Sequence, residues 1–291
     1  MTESIANWIR QNPYAADLGV KVEAADAASA RFSLRHEERN TMAGNLHGGA
    51  IASLVSIATR AVVRASAPAK TPLCTASMHV GYVRAARKSL TVETRLIRRV
   101  RELAFFETRM EDEGGDPVAF ASSVVSEGRT GVAGASPTAV RDALRPESLS
   151  PNANTEALHE AMAAIPFVAR RQLRIEEVAG GMIGVVVGTA TMNLDCDGFM
   201  DEGALLTLID AAGATCPWTI VSPSSGVTGA TIALTAQVLG PLPKGGLVAR
   251  AAVRAQDGQL YFSDVTISDS RSRQVHAFGT VLYRFSQRDP S

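Results

Sequence analysis

The sequence predicts an α+β fold that is built twice, each half being an antiparallel β-sheet wrapped around one long central helix. Three observations predict it. The chain has 291 residues, 46% of them hydrophobic, which is enough for two domains with apolar cores. Its two halves repeat the same order of segments over nearly the whole length. Each half also holds one helical segment that is apolar almost all round, which is typical of a buried helix.

The repeat becomes visible when Gly44 is aligned with Gly198. The segment GNLHGGAIASLVSIATRA then matches GFMDEGALLTLIDAAGAT. Before it, NPYAADLGV corresponds to IPFVARRQL; after it, CTASMHVGYVRAA corresponds to VTGATIALTAQVL. Further strand-like runs follow in both halves and end in VAFASSVVS or HAFGTVLYRF. We therefore predict, in each half, a short helix, one or two strands, the long helix and a run of antiparallel strands. This arrangement is the hotdog fold.

A change of composition separates the halves. The stretch EGRTGVAGASPTAVRDALRPESLSPNANTE is rich in Gly, Ser, Pro, Asn and Ala, as linkers are. We place the first hotdog domain at residues 1–130, the linker at 131–155 and the second domain at 156–291. Within the linker, TAVRDAL is a candidate short helix.

Composition excludes several classes of protein. Lys plus Arg equals Asp plus Glu at 29 each, so no basic field favours nucleic acid. No run of 18 apolar residues predicts a membrane span, and the first residues lack the features of a signal peptide. Three cysteines without a CxxC pair suit a reducing compartment. We therefore expect a cytoplasmic protein.

The segment NLHGG, at the start of the first long helix, needs an explanation because glycine is a poor helix former. One interpretation is a glycine-rich turn that caps a buried helix, with His47 filling a gap. The other is that Gly48 lets a ligand approach the free N–H groups and the partial positive charge of a helix start. Such donors stabilise an oxyanion. Asp201 and Glu202, at the matching place in the second half, would repel one.

The run from NPYAADLG to GNLHGGAIASL resembles acyl-CoA thioesterases of the phenylacetate-degradation (PaaI-like) hotdog group. The resemblance covers about 12–125 and, more weakly, about 165–285, where Asp-Glu-Gly replaces His-Gly-Gly. It implies a site at the interface between two hotdog units. One unit supplies the His-Gly-Gly turn, and the other a helix carboxylate nine residues after the histidine position, as base for water or as nucleophile.

Carried over residue by residue, the resemblance implies one complete site. His47 and Gly48 stand in the first half, whose carboxylate position is Ser56. The second half has Asp210 at that position but has lost the turn. The two surviving parts would meet across the interface, with the Gly48 backbone holding the carbonyl and His47 placing the substrate or the leaving thiolate.

The resemblance implies further contacts. A hydroxyl on the strand after the helix holds the carboxylate in this family, and Thr228 is the matching residue here. An asparagine six residues before the histidine also binds the carbonyl, but that position is Thr41. Asn40, brought in by a one-residue bulge, and Asn45 are the candidates. With Gly49, they complete the predicted substrate-binding set.

We therefore expect hydrolysis of acyl-CoA thioesters to free acid and CoA, without cofactor or metal. The acid-rich DCDGFMDEG lacks the spacing of an EF-hand. The alternative function is non-catalytic binding of acyl-CoA, for which Asp210 would not be needed. A free sheet face or edge in each half would also allow two such chains to form a homodimer.

Overall fold

The structure is a computed structural model that describes residues 1–68, 71–128, 155–222 and 226–287. The first half contains α1 Thr2–Gln11, α2 Pro13–Leu18, β1 Val20–Ala25, β2 Ser29–Leu34, β3 Thr41–Met42, β4 Asn45–Leu46, α3 Gly48–Arg64, β5 Leu73–Tyr82, β6 Leu90–Val100, β7 Leu103–Asp112 and β8 Pro117–Glu127. The second half contains α4 Thr155–Ala163, α5 Pro166–Arg171, β9 Arg174–Ala179, β10 Met182–Val187, α6 Glu202–Thr215, β11 Val227–Val238, β12 Leu247–Asp257, β13 Leu260–Asp269 and β14 Val275–Gln287. Of the predicted linker, 131–154 lies outside the described residues, and so does the candidate helix TAVRDAL.

The short helix before the first strand begins with the same signal in both halves. Pro13 opens α2 and Pro166 opens α5, where the fixed φ of proline suits the first helical position. Asn12 caps α2 by accepting a hydrogen bond from the N–H of Ala15 at 2.9 Å. Gly19 ends this helix in the left-handed conformation, with φ at +80°.

The two long helices are buried as the apolar pattern predicts. In α3 every residue from Gly49 to Val63 is buried, and in α6 every residue from Glu202 to Gly213. Each packs against the strands of its own half, and the two helices pack against each other. The predicted tandem hotdog fold is confirmed.

Twelve of the fourteen strands form one continuous sheet in the order β1-β2-β6-β7-β8-β5-β11-β14-β13-β12-β10-β9, and β3 and β4 pair with each other in a separate sheet. The halves are joined at the centre of the large sheet, where β5 and β11 pair antiparallel with Gly81 opposite Ala233 and Met78 opposite Ala236. Because both central strands follow the long helix of their half, this pairing also brings α3 and α6 side by side.

Two glycines set the distance between these helices. A Cβ on Gly49 would lie 2.7 Å from the Cα of Thr207, and one on Gly203 would lie 2.2 Å from Cε1 of Tyr14. At the crossing, the Tyr14 hydroxyl forms hydrogen bonds with Ser53 Oγ at 2.7 Å and Thr207 Oγ1 at 3.0 Å. The start of each long helix is therefore held against the other half of the molecule.

None of the helices in the described ranges combines the length and hydropathy that a membrane span requires.

Candidate active site at the start of the first long helix

The first turn of α3 faces the middle of α6. His47 caps α3, and its Nδ1 accepts a hydrogen bond from the N–H of Gly49 at 3.0 Å. The N–H of Gly48, the first helical residue, has no acceptor among the described residues. Because the partial positive charge of a helix is concentrated at its N-terminus, this N–H is a donor suited to a ligand that carries or develops negative charge.

Asp210 brings a carboxylate to this donor from the other half. The residue is 2% exposed. Its Oδ2 lies 3.2 Å from His47 Nδ1. A Cβ on Gly48 would lie 2.7 Å from the same oxygen, so only glycine fits beside the carboxylate. The structure thus brings together His47, Gly48 and Asp210, which are far apart in the sequence. Together with Thr231, which also contacts Asp210, they form what we call the His47–Asp210 cluster.

The hydroxyl that holds Asp210 belongs to Thr231, and the expectation for Thr228 needs correction. Thr231 Oγ1 donates to Asp210 Oδ1 at 2.9 Å. Thr228 is exposed, and its hydroxyl donates to the carbonyl of Ser286 at 3.5 Å. The two threonines are three residues apart on one strand, so their side chains point to opposite faces of the sheet. The sequence alignment placed β11 three residues out of register relative to α6. The hydroxyl that the alignment assigned to Thr228 therefore belongs to Thr231.

His47 Nδ1 can serve only one of its two neighbours at a time. It has a single lone pair or proton position, whereas Gly49 N–H and Asp210 Oδ2 are both within hydrogen-bonding range. When Nδ1 accepts from Gly49, it gives no proton to Asp210. Oδ2 is then available to a water molecule or a substrate. The ring of His47 is fixed from its other side by Phe167, with centroids 5.0 Å apart.

The structure gives the predicted substrate-binding residues other contacts. Asn40 is buried, and its Nδ2 donates to the carbonyl of Leu18 at 2.8 Å. Asn193 does the same in the second half, where its Nδ2 donates to the carbonyl of Arg171 at 2.8 Å. Because this asparagine recurs beside a helix start that lacks the His-Gly-Gly turn, its contact is part of the scaffold. No bulge turns Asn40 towards Gly48 in this structure.

Asn45 and Gly49 are also occupied by local structure. Asn45 Nδ2 donates to the carbonyl of Ala43 at 3.3 Å within the β3–β4 turn. The N–H of Gly49 donates to His47 Nδ1, and the α-carbon of Gly49 packs against the backbone of Thr207. Of the two glycines, Gly48 is therefore the one that faces the carboxylate.

Tyr82, at the end of β5, is a residue of this region that the sequence analysis missed. Its hydroxyl donates to the carbonyl of Gly48 at 2.9 Å. Burial raises the pKa of Tyr82 well above its ordinary value, and the nearby Asp210 carboxylate raises it further. The phenol thus keeps its proton. A tyrosine in a strand has no distinctive sequence signal of its own. The signal that could have identified Tyr82 is the difference from the corresponding residue in the second half.

The start of α6 is built from the same positions with different chemistry. Asp201 caps this helix, its Oδ1 accepting from the N–H of Gly203 at 2.7 Å. Glu202 replaces Gly48, and its carboxylate crosses to the other helix. There it accepts from Ser56 Oγ at 3.0 Å and from the N–H of Thr75 at 3.0 and 3.2 Å. A glutamate side chain therefore stands at the start of α6 where α3 has Gly48, which has none.

Arg60 balances the charge of these two acids. It is 8% exposed, and its guanidinium lies 3.6 Å from both Asp201 Oδ1 and Glu202 Oε2. Burial alone would lower the pKa of Arg60, but the attraction of Glu202 and Asp201 outweighs it and raises that pKa. We call Asp201, Glu202, Ser56, Thr75 and Arg60 the Glu202–Arg60 cluster.

Metal-binding geometry is absent from the described residues, which hold no group of three or more His, Cys, Asp or Glu side chains placed to share an ion. In the acid-rich turn before α6, Asp195 Oδ1 accepts hydrogen bonds from the N–H groups of Asp197 and Phe199, both at 2.9 Å. This carboxylate therefore stabilises the turn itself.

Comparison with known proteins gives a family match in the first half. Residues 43–119 match the model of the thioesterase superfamily, a range that includes the cap, all of α3 and β5. No curated protein sequence matches the chain.

Solved structures match over the whole chain. A conserved protein with a hot dog fold from Alicyclobacillus acidocaldarius has a TM-score of 0.63 at 14% identity and covers 99% of this chain and 100% of its own. The acyl-CoA thioesterase II TesB2 of Mycobacterium marinum has a TM-score of 0.61 at 11% identity, with 97% and 100% covered. The tesB protein of Mycobacterium avium subspecies paratuberculosis has a TM-score of 0.58 at 12% identity, with 98% and 100% covered. The chain thus has the tandem hotdog fold, and part of its first half is similar to the thioesterase superfamily.

Proposed function

We propose that this protein hydrolyses acyl-CoA thioesters at one composite site, the His47–Asp210 cluster. One observation carries the proposal. The carboxylate of Asp210, from the second half, lies against the helix start of the first half, where the N–H of Gly48 has no acceptor among the described residues. Acyl transfer to water requires at least a general base that activates the water and a hydrogen-bond donor that stabilises the oxyanion.

The chemistry follows from this arrangement. The thioester oxygen accepts a hydrogen bond from Gly48 N–H, and the helix start stabilises the negative charge that develops there. Asp210 takes a proton from water as the water oxygen bonds to the carbonyl carbon. The tetrahedral intermediate then expels the CoA thiolate, which takes up a proton, and the free acid leaves. In the other route the Asp210 carboxylate attacks the carbonyl carbon, the C–S bond breaks to release the CoA thiolate, and water hydrolyses the resulting anhydride to the free acid and Asp210.

Thr231 and His47 have supporting roles in this proposal. The hydrogen bond from Thr231 to Oδ1 fixes the carboxylate, so that Oδ2 is the oxygen available for the proton transfer. His47 keeps the first turn of α3 in place through Gly49 N–H and borders the same oxygen. Neither role needs a metal or a redox cofactor.

The match of residues 43–119 to the thioesterase superfamily supports this assignment, since it covers the turn and the helix that supply the donor. Within that superfamily we place the protein nearest the PaaI-like group, on the NLHGGA sequence. We further propose that it acts in the cytoplasm and as a homodimer of tandem chains. The Glu202–Arg60 cluster, being filled by its own side chains, has no catalytic role in this proposal.

The test is thiol release from a panel of acyl-CoAs of different chain length and shape. Wild type is expected to turn over at least one of them. Asp210→Asn keeps the shape of the side chain but cannot take up the proton, so nearly all activity is lost. Ser56→Ala, at the matching position of α3, is the control and retains activity.

Two outcomes contradict the proposal. If Ser56→Ala is as damaging as Asp210→Asn, the one-site account is wrong. If several acyl-CoAs bind and none is hydrolysed, the protein is the binding module that the sequence left as an alternative.

A further inference from the structure

One peptide unit in the His47–Asp210 cluster is held at both of its ends. The unit between Gly48 and Gly49 contributes the carbonyl of Gly48 and the N–H of Gly49. Tyr82 Oη donates to this carbonyl at 2.9 Å. His47 Nδ1 accepts from this N–H at 3.0 Å. The two contacts come from opposite sides, one from the end of β5 and one from the helix cap.

This double hold matters because two successive glycines have unusual backbone freedom. Glycine has no Cβ to restrict φ and ψ, and it weakens a helix where it occurs. The adjoining peptide unit, between His47 and Gly48, carries the N–H that our proposed function aims at the substrate carbonyl. Because the two units share the α-carbon of Gly48, a displacement of the Gly48–Gly49 unit would move that donor as well. A donor stabilises a transition state only when its direction is fixed before the reaction.

The second half provides a comparison within the same molecule. Thr75 and Thr231 are equivalent, since each hydroxyl contacts the helix residue nine positions after the cap, Ser56 or Asp210. Counting along the strands from these threonines, the residue of β11 that corresponds to Tyr82 is Val238. Valine has no donor to give to a helix carbonyl. The phenol thus occurs only beside the helix start that has two glycines.

We propose that Tyr82 is a positioning residue, which fixes the Gly48–Gly49 peptide unit and thereby aims the N–H of Gly48 at the thioester oxygen. The inference rests on the proposed function for its catalytic consequence, but the hold on the peptide unit can be measured without any substrate. Because the phenol keeps its proton, the hydrogen bond to Gly48 persists over the whole neutral and mildly alkaline range.

The experiment compares wild type with Tyr82→Phe, which keeps the ring and removes only the donor. The first readout is hydrogen exchange of glycine amides in protein labelled with ¹⁵N-glycine. Exchange of Gly49 N–H is expected to rise about tenfold, because its peptide unit has lost one of its two side-chain hydrogen bonds. Gly203 N–H, capped by Asp201 at 2.7 Å in the other half, is the internal control and stays unchanged.

The second readout is the separation of kcat from KM on the best acyl-CoA. Tyr82→Phe is expected to lower kcat about tenfold at nearly constant KM, since one hydrogen bond that aligns the donor is lost. Tyr261→Phe removes another buried phenol hydroxyl, far along the sheet order in β13, and leaves kcat unchanged.

Three results would overturn the inference. The first is equal exchange of Gly49 in wild type and Tyr82→Phe, which would show that the phenol does not hold the peptide unit. The second is faster exchange with an unchanged kcat, which would show that the hold does not aim the donor. The third is a raised KM at constant kcat, which would make Tyr82 a substrate contact. A wild type without thioesterase activity would refute the proposed function, and exchange at Gly49 would then decide alone whether the hold exists.

Discussion

The starts of α3 and α6 occupy equivalent places in the two halves, yet one presents a bare backbone N–H and the other is filled with side chains. At α3 a glycine faces the carboxylate of Asp210 across the helix interface. At α6 the positions are exchanged, because Glu202 supplies the acid and Ser56 faces it. The carboxylate between the helices therefore belongs to α6 in both places, but at the start of α3 it comes from the middle of the facing helix and at the start of α6 from that start itself.

That exchange decides what each cluster can do. The carboxylate of Glu202 accepts hydrogen bonds from Ser56 Oγ and Thr75 N–H and lies close to Arg60, so its bonding is complete within the protein. Asp210 Oδ1 accepts a hydrogen bond from Thr231, whereas Oδ2 lies beside Gly48 and 3.2 Å from His47 Nδ1 and accepts no hydrogen bond from the described residues when Nδ1 is bonded to Gly49. A general base must have an atom that is free to bond to the substrate or to water. Such an atom, Asp210 Oδ2, occurs at the start of α3 and has no counterpart among the residues described at the start of α6.

The largest effect is expected from Gly48→Ala. The new Cβ would be 2.7 Å from Asp210 Oδ2, so the carboxylate or the helix start must shift. Displacing one oxyanion donor lowers kcat by roughly 100-fold or more. Gly180→Ala is the control, because no atom of the described residues, apart from its chain neighbours, lies within 4 Å of its Cβ position. Steady-state thiol release measures both, and a fully active Gly48→Ala would show that this helix start is not the site.

Arg60→Met tests the other side of the comparison. It leaves Asp201 and Glu202 buried without their cation, which should lower the free energy of unfolding by about 3 kcal/mol. Arg254→Met removes an ion pair whose arginine side chain is 72% exposed, and should cost less than about 1 kcal/mol. Urea denaturation gives both values. The folded Arg60→Met protein should keep its kcat, and a large loss of kcat would give this cluster a part in catalysis.

Thr231→Val against Thr228→Val separates two threonines of one strand. Removal of the hydroxyl that bonds the Asp210 carboxylate should lower kcat about tenfold. Thr228 is exposed and its hydroxyl donates to the Ser286 carbonyl, away from Asp210, so its replacement should leave kcat unchanged. The reverse order of effects would restore the residue that the sequence alone suggested.

The smallest effects are expected from the paired asparagines. Asn40→Ala and Asn193→Ala each remove a buried side-chain hydrogen bond to a helix carbonyl, so both should destabilise the fold by about 1–2 kcal/mol. Thermal unfolding compares them, and kcat should be little affected in either. A selective loss of kcat in Asn40→Ala would mean that its amide binds the substrate carbonyl after all.

The sequence pattern was sufficient for the fold, and the family resemblance for the meeting of His47 with Asp210. Apolar residues on all sides of two segments predict buried helices, and the resemblance implied a site shared between the turn of one unit and the helix carboxylate of the other. The register of the strand after α6 was harder to predict, because a 3-10 helix at Cys216–Thr219 intervenes before β11 begins. A shift by an odd number of residues there exchanges the two faces of the strand, and Thr228 was chosen in place of Thr231.

Other features depend on distances that no sequence pattern contains. Gly48 and Gly49 are neighbours of the same type, yet one faces a carboxylate and the other packs against a backbone. Tyr82 reaches Gly48 only because β5 ends beside the first turn of α3. Such contacts result from the packing of strand on helix, which a one-dimensional pattern does not determine.

The most direct test of one site per chain is the number of ligands bound. A ketone analogue of the best acyl-CoA substrate, with a methylene in place of the thioester sulfur, can be titrated into the wild-type protein by isothermal calorimetry. The account predicts one molecule bound per chain, because the Glu202–Arg60 cluster fills the equivalent place in the other half. Two molecules bound per chain would contradict it.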